Sequence, residues 1–501
     1  MTKIRSFIED FNSIVNLYPE RIAFESIKED ETIITYKNLD VLIKKMLVLF
    51  SEKDIKPNAL ICSILPNSLE SLILFLSCMK GGYKYAPIHF NYTQKEVKES
   101  INFIKPDCIF YNDLVSEEII NIFENYNTNS IEISFSTLND IKESKFNFSS
   151  ENNGKLYIFT SGTSGKQKSI VHDINKLWSS GHFFSRLHNL NFDSEFKIWN
   201  YLSHSYLGGL FNLCLIPLSI GGTIVVDDNF TGKTFLSFWQ TIERCKINAL
   251  WLVPSIVSGL VTIAERIKRK DISTFKKIDI AFLGTAPIQN ELKNRFKSIF
   301  NIRLLENFAL SETTFLTSQF LGLDPDDRFQ SSGIFLDHIE FKFKKLEETI
   351  TGNKLFVKTP FMMDGYLQED STIYFEKDDE GFFDTGDLGV LDHNKNLIIT
   401  GREKDIIKKG GYFISLKEIE YLSNQHSSVE ESAAVKQGHK FYGESYKLYI
   451  KLKDNFKNKI SLEIIKDHIY DNLTKYKWPE EIELINSFPK TSSGKIIKGD
   501  I

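Results

Sequence analysis

Cysteine is scarce in this 501-residue chain and never clustered. Cys62, Cys78, Cys108, Cys214 and Cys245 form no close pair at metal-ligand spacing, and each sits in apolar surroundings. They read as buried reduced thiols, which excludes a disulfide framework and fits a cytosolic protein. A secretory leader is not expected, because Met-Thr-Lys-Ile-Arg-Ser-Phe-Ile-Glu-Asp reaches acidic residues before any apolar run. There is no excess of positive charge: a net charge of −5 argues against broad nucleic-acid binding, which leaves a basic footprint. Charge is absent altogether from Asn200 to Val226, a stretch long enough to span a bilayer. His204, Asn212, Pro217 and the pairs Gly208-Gly209 and Gly221-Gly222 break it into pieces, however. The stretch predicts an apolar helix over Leu207 to Leu218, a glycine turn and a buried strand over Thr223 to Val226, with no membrane span.

The common nucleotide-binding loop is also lacking. A Walker A motif needs a glycine five places before its Gly-Lys pair and a Ser or Thr after it. At Gly165-Lys166 those places hold Thr160 and Gln167; at Gly232-Lys233 and Gly494-Lys495 the first glycine is replaced by Asp227 and Pro489. A P-loop NTPase is excluded.

A different phosphate grip stands at residues 157–172, Tyr-Ile-Phe-Thr-Ser-Gly-Thr-Ser-Gly-Lys-Gln-Lys-Ser-Ile-Val-His. An apolar strand runs directly into hydroxyls, glycines and lysines. Gly162 and Gly165 let backbone N–H groups turn inward with no Cβ in the way. Thr160, Ser161, Thr163 and Ser164 add hydroxyl donors, and Lys166 and Lys168 add charge. By itself such a loop could equally be a polar surface turn.

Apolar runs alternate with amphipathic helices along most of the chain. Strands are predicted at Ala59–Leu65, Cys108–Tyr111, Ala249–Val253 and Lys277–Leu283, with helices at Ser68–Lys80, Ser116–Tyr126 and Ser255–Lys268. This alternation predicts α/β layers with parallel sheets. Near residue 330 short strands take over, at Ile339–Phe343, Lys354–Val357 and Leu397–Thr400, which predicts a β-rich subdomain over about 330–400. Gly401-Arg402-Glu403-Lys404-Asp405 is a charged break. It divides a large domain, 1–400, from a small α+β domain, 401–501, which has its own signals: helices at Glu418–Ser423 and Leu462–Leu473, strands at Glu431–Val435 and Tyr446–Lys451.

Four further segments carry chemistry. Asn307-Phe308-Ala309-Leu310-Ser311-Glu312 ends in a hydroxyl and a carboxylate. Phe382-Phe383-Asp384-Thr385-Gly386-Asp387 offers a tight turn with an exposed acid. Residues 401–411 open the small domain, and Pro489-Lys490-Thr491-Ser492-Ser493-Gly494-Lys495 lies close to the end of the sequence. Each is weak alone. Together, in this order, they resemble the adenylate-forming superfamily of acyl- and aryl-CoA synthetases, peptide-synthetase adenylation domains and beetle luciferases. The likeness runs from Pro19-Glu20-Arg21 to Lys495 and is nearest in pattern to stand-alone acid–CoA ligases.

The resemblance implies a reaction in which a carboxylate attacks the α-phosphate of ATP and expels pyrophosphate, two anions meeting where positive charge and donors are needed. It implies that Thr160, Ser161, Gly162, Thr163, Ser164, Gly165 and Lys168 hold the β- and γ-phosphates. Ser311 would lie near the α-phosphate and Glu312 would bind Mg²⁺. Gly284, Thr285, Ala286 and Asn307 would meet adenine, with Phe308 stacked on it. Asp387 would accept both ribose hydroxyls, helped by Arg402. Lys495 would bridge the attacking carboxylate and the α-phosphate. Lys404 matches the hinge about which the small domain turns between half-reactions, and Lys408, Gly410 and Gly411 would then face the thiol.

Some positions depart from the family pattern. Gln167-Lys168-Ser169 stands where Pro-Lys-Gly is usual, and Phe308-Ala309 replaces Tyr-Gly; neither change removes a needed charge. Leu202-Ser203-His204-Ser205-Tyr206-Leu207-Gly208-Gly209 matches the segment where acid-activating members carry a histidine beside the carboxylate. His204, Tyr206, Gly209, Phe308 and Ala309 are therefore the expected acid pocket, with His204 catalytic. Amino-acid-activating members place an acidic residue here, and this chain has none, so the expected substrate is a small uncharged or apolar carboxylic acid rather than an α-amino acid. The acceptor stays open between CoA and the phosphopantetheine of a separate carrier protein. A luciferase-like oxygenase and a catalytically silent nucleotide-binding protein are the readings from other classes.

Overall fold

The computed structural model describes residues 3–27, 32–126, 128–142, 153–161, 167–190, 195–267, 278–284, 288, 290–322, 331–346, 352–410, 412–457, 460–490 and 496–501. Two large mixed sheets build the first three-quarters of the chain. One runs, in spatial order, through Gly365–Leu367, Gln167–Asp173, Lys155–Ser161, Lys84–Ile88, Leu60–Ile64 and Cys108–Tyr111. The other runs through Thr314–Ser318, Leu305–Leu310, Ile280–Leu283, Ala249–Leu252, Lys197–Asn200, Thr223–Val226 and Ile22–Ser26. Their central strands pair in parallel, as the strand–helix alternation predicts. One apolar core joins both sheets, with Phe24, Ile61, Ile158, Trp251 and Phe282 among its buried members.

The helix Leu69–Gly81 shows how sequence sets position. Ser68 caps it, the Ser68–Ser71 pair closes a capping box, and Gly82 ends it at φ 73°. Its apolar residues lie all round rather than on one stripe, and Leu72, Ile73, Leu74, Phe75 and Leu76 are all fully buried. The first turn of this central helix is thereby fixed inside the molecule, where its polar side chains can serve as fixed partners.

The uncharged stretch after Asn200 folds as expected in outline and differs in detail. Thr223–Val226 is a buried strand. The helix is a π-helix over Gly208–Leu215 that becomes α-helical at Ile216–Leu218. The physical cause is local: Pro217 cannot donate to the carbonyl of Leu213. Asn200 Nδ2 donates to that carbonyl at 3.3 Å and to Gly209 O at 3.0 Å, satisfying the widened turn from the side. Among the described residues, no helix is long and apolar enough to cross a membrane. All five cysteines are free and buried.

Glu340–Lys344, Asn353–Lys358, Phe383–Leu391 and Leu397–Arg402 form the antiparallel sheet expected after residue 330. Gly365–Leu367 does not join it. That strand returns to the first large sheet, with Tyr366 opposite Ile170. The charged break at 401–405 is an extension of strand Leu397–Arg402 followed by a 3₁₀ turn, Glu403–Asp405. Beyond it Tyr412–Ser415, Ile406–Lys409, Gly443–Leu452 and Val429–His439 make a further sheet, flanked by the helices Leu416–Gln425 and Leu462–Asn472. Its core, around Ile407, Ile419, Ile450 and Ile465, draws only on residues from Ile407 onward.

Candidate active site

Lys155–Ser161 and Gln167–Asp173 are two arms of one antiparallel hairpin, with Thr160 opposite Lys168 and Ser161 opposite Gln167. The described ends of the predicted phosphate grip are thus paired strands. Gly162, Thr163, Ser164 and Gly165 lie outside the described residues, and Thr160 and Ser161 are placed only as the end of the first arm. Lys168 is exposed, and its ammonium stands 5.1 Å from the ring centroid of Tyr366. The Tyr366 hydroxyl donates to Glu312 Oε1 at 2.7 Å. Burial and the Glu312 charge push that phenol well above its ordinary range, so it stays a donor.

A second tie joins the same elements. His172, on the returning arm, hydrogen-bonds Ser311 O through Nε2 at 2.6 Å. Burial pulls its imidazole down to about 4, so the ring is neutral at pH 7. A carbonyl only accepts, so the single ring proton sits on Nε2. The Met363 N–H donates to Glu312 O at 2.8 Å. Two residues on, Thr314 holds φ +60°, a strained setting for a β-branched residue, and its hydroxyl bonds Ser180 Oγ at 2.7 Å. The turn that presents Glu312 is therefore over-determined by four contacts from three different segments.

The segments expected to meet the nucleoside are packed as closely. A Cβ on Gly284 would lie 2.9 Å from Asn307 Oδ1, so the bare glycine lets the amide close against the backbone. Asn307 is buried, and its Nδ2 has no hydrogen-bond partner among the described residues. A buried donor left unpaired is costly, and an adenine ring nitrogen is the kind of acceptor that would satisfy it. Phe308 is half-buried beside it and Ala309 is exposed; Thr285 and Ala286 lie outside the described residues.

Asp387 departs from expectation. It is 2% exposed rather than an exposed turn acid, because Thr385-Gly386-Asp387 belongs to the strand Phe383–Leu391. Gly386, at φ +67°, makes the bend that turns the carboxylate inward. Arg402 stands directly opposite in the ladder and donates from Nε to Asp387 Oδ1 at 2.8 Å. The pair forms a charge-assisted anchor at the end of the strand that leads into the small domain.

His204 is 3% exposed. Its Nδ1 is 2.5 Å from Ser71 Oγ, and its backbone N–H donates to Asn67 Oδ1 at 2.9 Å. Tyr206 lies close enough to Glu312 for the carboxylate, after burial, to raise its phenol. The segment expected to border the acid and the Glu312 turn are thus neighbours, though Tyr206 and Glu312 are 106 residues apart in sequence. Gly209 has a packing reason to be glycine: a Cβ there would meet Ser203 O at 2.3 Å.

Lys404 sits in the 3₁₀ turn after Arg402, where burial and then the Arg402 charge hold its ammonium below the ordinary lysine range. Lys408 lies over the Phe413 ring at 5.1 Å, and the Gly410 N–H, at φ +58°, donates to Tyr442 O at 3.1 Å. Gly411 and Lys495 lie outside the described residues. The segments flanking Lys495 are pinned together by the Lys490–Ile496 bridge and by Ile497 N–H to Pro489 O at 2.9 Å.

Sequence reasoning missed Asn67, Ser71, His172 and Tyr366. Each acts through a contact spanning at least 54 residues, and no local pattern announces such a pairing.

Glu312 offers one carboxylate, with Oε1 already accepting from Tyr366. Among the described residues, no group of three or more His, Cys, Asp or Glu side chains could hold a metal by itself. That donor set fits Mg²⁺, which needs only one or two protein carboxylates and takes its other oxygens from phosphates and water.

Two large mixed sheets followed by a small α+β unit, matched along the chain by two family models, define an adenylate-forming enzyme. The chain belongs to the AMP-binding enzyme family, which matches residues 11–367, and the AMP-binding enzyme C-terminal domain matches residues 418–495. Among its relatives is a probable CoA ligase, CCL5, of Humulus lupulus, 24% identical over 492 residues, covering 93% of this chain and 87% of that protein. Another is a 2-succinylbenzoate–CoA ligase of Staphylococcus aureus (strain MSSA476), 25% identical over 456 residues, covering 86% and 87%. The fold is shared with ATP-bound MatB from Rhodopseudomonas palustris at a TM-score of 0.85, 20% identity and 98% coverage of both chains. It is shared as well with the o-succinylbenzoate CoA synthetase MenE of Bacillus subtilis in complex with its acyl-adenylate, at a TM-score of 0.81, 19% identity and 98% and 97% coverage.

Proposed function

We propose that this enzyme joins a carboxylic acid, not an α-amino acid, to CoA in two steps with ATP. In the first, a carboxylate oxygen attacks the α-phosphorus and the bond to pyrophosphate breaks, leaving an acyl-AMP. In the second, a thiolate attacks the acyl carbon, AMP departs with the oxygen it gained, and the thiol proton passes to solvent. The phosphate hairpin, Lys168 and Ser311 hold the phosphates; Asn307, Gly284 and Phe308 hold adenine; Asp387 and Arg402 hold the ribose. Mg²⁺ at Glu312, when bound, supplies positive charge to the phosphate oxygens. Lys495 neutralises charge between the attacking carboxylate and the α-phosphate. His204, Tyr206 and Ala309 border the acid, and the small domain, 401–501, turns about Lys404 so that Lys408 to Gly411 face the thiol.

The observation that carries this reading is the chain Lys168–Tyr366–Glu312. A cation from the phosphate hairpin and the carboxylate proposed for the metal meet on the two sides of one phenol. Both are needed where a polyphosphate binds. The naming of several relatives as CoA ligases supports CoA over a carrier protein.

The test is acid-dependent exchange of labelled pyrophosphate into ATP across a panel of aryl, short-chain and medium-chain acids. The acyl-AMP is then trapped with CoA or with a phosphopantetheinylated carrier protein. Exchange with at least one acid, and faster trapping by CoA, is the expected result. ATP binding without exchange for any acid would reject an acid-activating enzyme, and trapping by the carrier alone would replace CoA as acceptor.

A further inference from the structure

The segment Met363-Asp364-Gly365-Tyr366 grips Glu312 from both ends, with Asp364 in between. The Met363 N–H donates to Glu312 O at 2.8 Å, and the Tyr366 hydroxyl donates to Glu312 Oε1 at 2.7 Å. The backbone that carries this grip is thinly held. Gly365–Leu367 is a three-residue strand, and its outer neighbour, Ile373–Tyr374, has only two residues. On the inner side the pairing covers Gly365 opposite Val171 and Tyr366 opposite Ile170. Gly365, at φ +153°, passes so close to Tyr374 that a Cβ would stand 2.6 Å from its carbonyl oxygen, so no side chain can anchor the strand at that position.

Asp364 supplies the anchor instead. Its N–H donates to Val171 O at 2.7 Å. Its carboxylate is divided between two lysines, with Oδ2 accepting from Lys155 Nζ at 2.9 Å and Oδ1 from Lys176 Nζ at 2.7 Å. Lys155 opens the first arm of the phosphate hairpin, and Lys176 lies in the first turn of the helix Ile174–Leu187. The helix itself gives no reason for a cation there, because its first turn carries the positive end of the dipole. Asp173 already caps that turn, accepting from the Asn175 and Lys176 N–H groups at 2.8 and 3.3 Å. The Lys176 side chain is free to serve Asp364. Each oxygen of one carboxylate is thus tied to a different element, and charge-assisted bonds of this kind hold their geometry well.

We infer that Asp364 is a positioning residue for Glu312: by holding Lys155 and Lys176 on one carboxylate it sets the place of Tyr366, whose hydroxyl fixes the carboxylate proposed for Mg²⁺. The inference rests on the reading of Glu312 given above. A phenol suits this task because it donates to the carboxylate without neutralising it, whereas a lysine in its place would cancel charge that a metal needs. Such a bond weakens steeply as its distance and angle depart from the optimum, so the backbone two residues earlier decides its strength. Without the Asp364 charge, the Lys155 and Lys176 ammonium groups are left facing each other, and their repulsion displaces the start of the strand. Lys168 stands over the same Tyr366 ring, so the phosphate side of the site shifts with it.

The experiment is a double-substitution cycle on the full chain, with Asp364→Asn, Tyr366→Phe and both together. Its readout is the Kd for Mn²⁺, measured by electron paramagnetic resonance with a non-hydrolysable ATP analogue bound. Asp364→Asn alone should weaken Mn²⁺ binding about fivefold. Added to Tyr366→Phe, it should cost less than about twofold, because its effect runs through a hydroxyl already removed. Equal losses in both backgrounds would mean that Asp364 supports the fold at large rather than Tyr366, and would overturn the inference. An unchanged Kd in Asp364→Asn, with Tyr366→Phe weakened, overturns it too and leaves the metal reading standing. An unchanged Kd in Tyr366→Phe itself removes that reading and the inference together. If Asp364→Asn does not fold, Lys176→Met takes its place in the cycle. It deletes one of the two ties from a side chain that is 32% exposed, and the same results support or overturn the inference.

Discussion

Acid should loosen this protein through its buried histidines, and His172 is the one whose charging reaches the site. Its ring is fully buried, and burial holds its pKa at about 4, against about 6.5 for a free histidine. A pKa depressed in the folded state contributes stability that is complete above the unfolded value of about 6.5 and is lost as pH falls through about 4. At pH 5 the unfolded chain has taken up a proton that the folded chain resists by about one and a half pKa units. At about 1.4 kcal/mol per unit, that costs about 2 kcal/mol. His188, at about 3, and His338, at about 4, act in the same direction, so the substitution must isolate His172. His172→Gln keeps an N–H for Ser311 O and cannot titrate. The assay is urea unfolding from pH 7.5 to 4.5, followed by tryptophan fluorescence. Four of the five tryptophans, Trp178, Trp199, Trp239 and Trp251, are buried in the cores of the large domain that holds His172, and Trp478→Phe in both proteins removes the one in the small domain, so the signal reports the large domain. The wild-type stability should fall relative to the variant by about 2 kcal/mol between pH 7 and pH 5. Parallel curves would refute the reasoning, because they would mean that His172 takes a proton as readily when folded as when unfolded.

Removing the Tyr366 hydroxyl, in Tyr366→Phe, keeps the ring under Lys168 and deletes a hydrogen bond to a charged group. Such bonds are worth about 1.5–3 kcal/mol, so the half-saturating Mg²⁺ concentration should rise about tenfold or more, as should the Kd for Mn²⁺ measured by electron paramagnetic resonance with a non-hydrolysable ATP analogue. An unchanged metal dependence would remove Tyr366 from the site. Lys495→Ala should abolish acyl-AMP formation while sparing thioester formation from supplied acyl-AMP, measured by separate half-reaction assays. Equal loss of both would count against assigning the two steps to different arrangements of the small domain.

The parallel layers were legible because a buried parallel strand is a short apolar run, and Cys108–Tyr111, Ala249–Leu252 and Thr223–Val226 each contain little else. The ordered motifs were legible for another reason: a phosphate hairpin, a Ser-Glu turn and a Thr-Gly-Asp bend each need particular residue types at fixed spacing. Pairing over long distance was not legible. Nothing local in Gly365-Tyr366-Leu367 says that it leaves the neighbouring β-sheet to pair with 170–171. Asp387 reads as a turn acid because glycine and threonine surround it, and only the opposing Arg402 shows why it is buried. The π-helix after Gly208 depends on the Asn200 side chain as much as on Pro217, and helical periodicity does not record that contact.

The central claim is that a carboxylate oxygen is transferred to the α-phosphate of ATP. An accepted acid labelled with oxygen-18 in its carboxyl group, incubated with the enzyme, ATP, Mg²⁺ and CoA, tests it by mass spectrometry of the products. The account predicts one labelled oxygen in AMP for each acyl-CoA formed and none in inorganic phosphate. Label in inorganic phosphate with formation of ADP, or unlabelled AMP, would contradict it.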